Sequence, residues 1–190
     1  MLTDQLKTAR GDRHEAAAAV GARAGIDTSA IYAFESGRRD PRLSTVTKWA
    51  RALGLRLLTV DTLNRASAAE VSEEIDGLVQ AGDTRAATRA LLQFQTSLSE
   101  SDPLIVAALT ADAPSLPDGE WGDAIAGIAE IHLNRHGIPP YTWITSRAGD
   151  PSGRWSPWPG VPMYTVVEAD VPRELRRRGI LIEQGELGSA

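Results

Sequence analysis

Apolar residues recur every three or four positions along most of the chain, and strand-like stretches are confined to its C-terminal end. Leu2, Leu6 and Ala9 open with helical spacing. "RHEAAAAVGARAG" then reads as an alanine-rich helix with Val20 and Ala24 on one face, ended by Gly25 as a left-handed C-cap. Asp27 is placed to N-cap the next helix, its carboxylate accepting the free N–H groups of the first turn. Ile31 and Phe34 share the buried face of that helix, Gly37 stops it, and Pro41 blocks easy continuation. A fourth helix, capped by Ser44 or Asp40, carries Val46, Trp49, Ala50 and Leu53 at three- and four-residue steps until Gly54.

The same periodicity continues beyond residue 60. "AAEVSEEIDGLVQAG" presents Val71, Ile75 and Leu78, and "TRAATRALLQFQTSL" presents Ala87, Leu91, Phe94 and Leu98. The "AGD" between them predicts a helical hairpin. "SDPLIVAALTAD" adds a short helix, and "APSLPDG", with two prolines and a glycine, reads as a linker. "EWGDAIAGIAEIHLNRHG" is a further amphipathic helix, followed by the loop-rich "IPPYTWITSRAGDPSGRWSPWPGVP". "MYTVVEA" and "ILIEQ" are strand-like, and "VPRELRRRG" is a short helix opened by Pro172. The pattern predicts a mainly α protein with three parts. Residues 1–60 form a four- or five-helix bundle, 61–116 a helical hairpin connector, and 117–190 a small α+β domain for dimerisation or partner binding.

Charge sharpens this division. The net charge of −5 combines +4 over residues 1–60, from ten Lys and Arg against six acids, with −9 over the remainder. A basic end joined to an acidic one points to a polyanion-binding part and a part with another task. Cysteine is absent, which excludes disulfides and thiolate metal sites and fits a reducing compartment. No signal-peptide pattern and no membrane-length apolar run stands out, so a cytoplasmic protein without a membrane partner is expected.

Four short helices in the first 60 residues, the second and third joined by a tight glycine turn, make a helix-turn-helix arrangement. The segment "VGARAGIDTSAIYAFESGRRDPRLSTVTKWARALGL" resembles the DNA-binding domain of the Xre/Cro/phage-repressor family. The resemblance runs without gaps through Val20, Ala24-Gly25-Ile26, Ile31, Phe34-Glu35, Gly37, Pro41, Trp49-Ala50 and Ala52-Leu53-Gly54-Leu55. It implies that the exposed positions of the third helix enter the major groove of double-stranded DNA. Those positions are Thr28, Ser29 and Tyr32, with Ala33 as an apolar contact. Many members place Gln at the start of the second helix; Ala16 or Ala17 stands there, so that helix offers no side chain for base reading.

None of the groove-facing candidates has the bidentate fork of Arg or Asn, so each half-site should discriminate modestly. Specificity then rests on a homodimer, DNA shape and arginines outside the helix. Arg38, Arg39 and Arg42 cluster just past the helix as phosphate neutralisers, helped by Arg23 and Arg13. The resulting expectation is a sequence-specific DNA-binding regulator of transcription, a dimeric repressor. A sharper version is an autoregulating antitoxin whose C-terminal region binds a toxin. The segment "RWSPWPGVPMYTVVEADVPRELRRRGILIEQGEL" loosely resembles the C-terminal ends of uncharacterised actinobacterial helix-turn-helix and antitoxin-like proteins. The alternative is a ligand-sensing regulator with a small-molecule site near the tryptophan-rich loop, at Trp155 and Trp158, although the simpler reading of these two is that they plug the small C-terminal core.

Other constellations weigh less. His132 and His136 lie four apart with Glu130 nearby, but no third ligand is evident, so an interface or helix-end pair is the simpler reading and no metal is expected. "RRR" at 176–178 is either a second phosphate contact or a complement to a helix dipole. No Ser/His/Asp set or Gly-rich phosphate loop is visible, so neither catalysis nor a cofactor is expected.

Overall fold

The computed structural model describes residues 2–115, 119–158 and 166–188. The chain divides into two compact units, Met1–Thr59 and Val60–Ala190, each with its own apolar core.

The first unit contains α1 (Leu2–Asp12), α2 (Ala17–Ala24), α3 (Thr28–Glu35) and α4 (Leu43–Ala52). Leu6, Val20, Ile31, Phe34, Val46, Trp49 and Leu53 meet in its core, as their helical spacing requires. The second helix starts four residues later than the pattern from Arg13 predicts. α1 continues through Asp12, and the chain reverses at His14, whose φ of 52° lies in the left-handed region. Gly25, at φ 65°, caps α2 by donating its N–H to the Gly21 carbonyl. Gly21 is needed for a different reason: a Cβ there would sit 2.6 Å from the Ile26 carbonyl oxygen, so the turn folds directly onto the helix.

Capping departs from the sequence pattern. Asp27 stands at the N-cap of α3, but its side chain makes no capping bond. The N-cap of α4 is Arg42, not Ser44 or Asp40, and Ala16 at the N-cap of α2 has no side chain to offer. In the second unit, Ser67, Asp83 and Asp102 each accept first-turn N–H groups.

That second unit comprises α5 (Ala68–Gln80), α6 (Thr84–Ser99), α7 (Pro103–Leu109), α8 (Glu120–Arg135), α9 (Thr142–Ser146), α10 (Arg173–Arg176) and α11 (Gln184–Leu187). α5 and α6 form the hairpin, and α8 packs against α5, α6, α7, α9 and α10. Small residues let α8 take this central place. A Cβ on Gly127 would come 2.5 Å from Leu175 Cδ2, so α10 approaches as far as a bare backbone allows.

The C-terminal strands are a correction. Of "MYTVVEA", 163–165 lie outside the described residues, Val166 and Val167 are irregular, and Glu168–Asp170 form a 3-10 turn. "ILIEQ" makes one parallel bridge, Ile180 with Trp155, and then passes into α11. The bridge rests on Trp155 N–H to Gly179 O at 3.0 Å and Leu181 N–H to Trp155 O at 2.7 Å. It ends because Pro157 has no N–H to extend it, while the Pro157 carbonyl accepts from Thr88 Oγ1 on α6 at 2.5 Å. Ile180, Leu181 and Ile182 are all buried, so the apolar run marks a buried irregular segment. Regular structure among the described residues is therefore almost wholly helical; the Pro-rich linker reading falls partly on 116–118, outside them.

Two polar groups buried in this unit replace readings made from sequence. Arg178 of "RRR" is 2% exposed. Its guanidinium donates to Glu130 Oε2 at 2.7 Å and to the carbonyls of Arg147, Ile144 and Glu174, so it ties α8, α9 and α10 together. His132 is also fully buried, 2.8 Å from Gln95 Oε1 through Nε2. Because that oxygen only accepts, Nε2 carries the proton, and Nδ1 has no hydrogen-bond partner among the described residues.

A charged imidazole would add an N–H at Nδ1 that has no acceptor among the described residues. Burial, followed by the nearby Arg135 and His136, accordingly pulls His132 down to about 4. The unfolded chain, titrating near 6.5, takes up this proton first as pH falls. His132 thus favours the fold fully above pH 6.5, and about 3 kcal/mol of that is lost on descending to pH 4. Urea midpoints of the wild type should drop more steeply over this interval than those of His132→Gln; parallel curves would show that His132 is not the titrating group.

Candidate nucleic-acid interface

α3 has one inward and one outward face. Ile31 and Phe34 point into the core, where the Phe34 and Trp49 rings lie 6.2 Å apart between centroids. Ser29, Tyr32 and Ala33, at helical i, i+3 and i+4 positions, occupy the other face, beside Thr28 in the first turn. Ser29 is exposed, Tyr32 is 53% exposed, and Thr28 and Ala33 are half-buried. Tyr32 is a large aromatic held in water by the helix that buries its neighbours.

The arginines divide into two groups. Arg38, Arg39 and Arg42 are all exposed between α3 and α4. Arg38 Nε bonds Ser36 Oγ at 2.9 Å, and the Arg39 guanidinium sits 5.9 Å from the Phe34 ring centroid. The guanidinium of Arg42, at the N-cap of α4, has no hydrogen bond or ion pair among the described residues. Arg23 and Arg13 are engaged elsewhere. Arg23 donates to the Ala52 carbonyl at the end of α4 and pairs with Glu15, while Arg13 donates to Ala9 O at 2.8 Å near the end of α1. Both satisfy helix C-terminal carbonyls.

A contact that sequence reasoning missed orients the helix. Glu35 ends α3 and is buried, although a carboxylate at a helix C-terminus opposes the local dipole. Arg10 of α1 resolves this with two parallel bonds, Nε to Oε1 at 2.7 Å and Nη2 to Oε2 at 2.9 Å. Its remaining Nη1 donates to the Glu15 carbonyl at 2.7 Å, in the turn before α2. The bonds to Glu35 raise the Arg10 pKa further still. The available signal was an acid directly after the buried Phe34, which calls for a cation from another helix.

Three helices of this unit begin with first-turn N–H groups that no side chain caps, and three exposed arginines lie in the segment between α3 and the first turn of α4. Residues 13–60 match a family described as helix-turn-helix. They form a helix-turn-helix domain of the Xre/Cro type. That domain type binds DNA in transcription regulation. The match spans α2, α3 and α4 and leaves α1 and the second unit outside it. No curated protein and no solved structure matches the chain.

In the second unit, Trp155 meets Trp121 edge-on with centroids 4.8 Å apart and lines a cleft of about 680 Å³ with Arg147, Arg154 and Asp123. Trp158 is half-buried against the core. Among the described residues no cluster of three or more metal-ligating side chains occurs, and no helix is long and apolar enough to cross a membrane.

Breaking the Arg10–Glu35 pair from one side strands the other charge. Arg10→Ala should cost about 3 kcal/mol or more in urea unfolding, and Arg10→Met with Glu35→Met should recover much of it. A double variant less stable than Arg10→Ala would show that the ion pair contributes net stability beyond relieving its own burial.

Proposed function

We propose that the protein is a dimeric repressor of transcription that reads operator DNA with the outer face of α3. The observation that carries this reading is the outward row of Ser29, Tyr32 and half-buried Ala33 on α3, followed in the chain by the exposed Arg38, Arg39 and Arg42. Hydroxyls of Thr28, Ser29 and Tyr32 bond base edges, and the Ala33 methyl meets a thymine methyl. Arg38, Arg39 and Arg42 neutralise phosphates, supplemented by Arg13 and Arg23 through the guanidinium nitrogens left over from their helix-end bonds. Because each half-site lacks a bidentate reader, two copies spaced about one helical turn apart supply the discrimination that one lacks.

The open N-termini of α2, α3 and α4 support the same reading. A helix start without a side-chain cap keeps its N–H groups and positive dipole end available to phosphate. An antitoxin version gives the second unit a toxin to neutralise; the nine net negative charges beyond residue 60 suit a basic partner. Co-purification with the neighbouring gene product tests that version.

Two measurements separate the parts of the proposal. Replacing Arg38 and Arg39 together by Ala should weaken binding to every duplex and lower the salt slope, d log K/d log[salt], by about two. An unchanged slope removes both from the interface.

Ala16→Asp should place a cap and a negative charge at the start of α2. It should raise stability by about 1 kcal/mol while weakening DNA binding, most strongly at low salt. Higher stability with undiminished binding would exclude that helix end from phosphate contact.

A further inference from the structure

A groove of about 920 Å³ lies within the second unit, between α5, α6 and the segment Leu63–Ala66. Its volume is that of sites for small organic ligands. Val71, Ala90 and Phe94 give it an apolar lining. The rim is charged. Glu74 on α5 and Arg89 on α6 both line it, and neither side chain makes a hydrogen bond or ion pair among the described residues.

The third wall is held in an unusual backbone state. Leu63 and Asn64 have φ values of 55° and 59°, in the left-handed region that side-chain-bearing residues seldom adopt consecutively. Local bonds fix them there: Leu63 N–H donates to Asp61 Oδ1 at 2.9 Å, and Arg65 N–H to Thr62 O at 3.0 Å. The Arg65 guanidinium then anchors the wall to α6 through Ser97 O at 3.2 Å, the Ser101 hydroxyl and Glu100. The result leaves Leu63 60% exposed at the groove. An apolar side chain kept in water on a strained but anchored segment is an arrangement that a ligand would relieve.

We propose that this groove binds a small zwitterion with an apolar body: an apolar amino acid, or a short apolar peptide with free termini. Arg89 receives the carboxylate and Glu74 the ammonium, while the apolar part rests on Val71, Ala90 and Phe94 and covers Leu63. A simple anion would face repulsion from Glu74, and a wholly apolar molecule would desolvate both charges without pairing them. The site lies wholly in the second unit and stands whether or not the first unit binds DNA.

Calorimetric titration of the full chain with L-leucine and with trileucine tests this, alongside N-acetylated and C-terminally amidated forms of each. Capping either end should weaken binding about tenfold, and so should Arg89→Gln or Glu74→Gln, both exposed positions. Hydrogen exchange at the amides of 63–66 should slow on binding. Leucine binding as tightly as trileucine identifies an amino-acid site, and binding of trileucine alone identifies a peptide site. The proposal is overturned if neither binds at millimolar concentration, if capped and free forms bind alike, or if both substitutions leave affinity unchanged.

Discussion

The first unit depends on a buried carboxylate that its own helix disfavours. Glu35 sits at the C-terminal end of α3 beside Phe34, where both desolvation and the helix dipole oppose a negative charge. Arg10 meets it with a bidentate fork and also holds the turn that leads into α2. One guanidinium therefore sets the position of α1, the entry to α2 and the end of α3 together. With that end fixed by a directional pair and the middle fixed by Ile31 and Phe34, the outer face of α3 is presented as a rigid row. A helix held only by apolar contacts would be freer to roll, because such contacts have little directional preference.

Helix starts along the chain are closed by side chains in some places and left without a side-chain cap in others. α5, α6 and α7 close their first turns with Ser67, Asp83 and Asp102 and lose nothing by it. α2, α3 and α4 have no side-chain cap, with Ala16, Asp27 and Arg42 in the capping positions, and neither do α8, α9 and α10, which follow Gly119, Tyr141 and Pro172. Each missing cap costs about 1 kcal/mol of possible stability.

Elsewhere the chain secures its irregular parts with buried polar groups. Gly122, Gly127 and the alanines of α8 bring neighbouring elements close, and Arg178 binds three loop or helix carbonyls while facing Glu130. Gln95 bridges the His132 ring to the Leu187 carbonyl, carrying α6 to both α8 and α11. Such bonds compensate for the scarcity of sheet pairing, since buried backbone carbonyls outside regular structure still require donors.

Local pattern determined much of the architecture. Helical periodicity placed the helices of the first unit and α5 to α8, though not the short α9 and α11, Gly25 and Pro172 marked borders, and Ile31, Phe34 and Trp49 were legible as core because spacing alone puts them on inner faces. The outward row of α3 followed from the same geometry. Tertiary structure decided what depends on partners distant along the chain. Arg10 and Glu35 are separated by 25 residues, Arg178 and Glu130 by 48, and Gln95 and His132 by 37, and no local pattern announces such pairs. It also decided that "ILIEQ" is a buried irregular segment, because an apolar run satisfies burial equally well as strand or coil. Hydrophobic period is a property of one segment, whereas a hydrogen bond to a buried charge is a property of two.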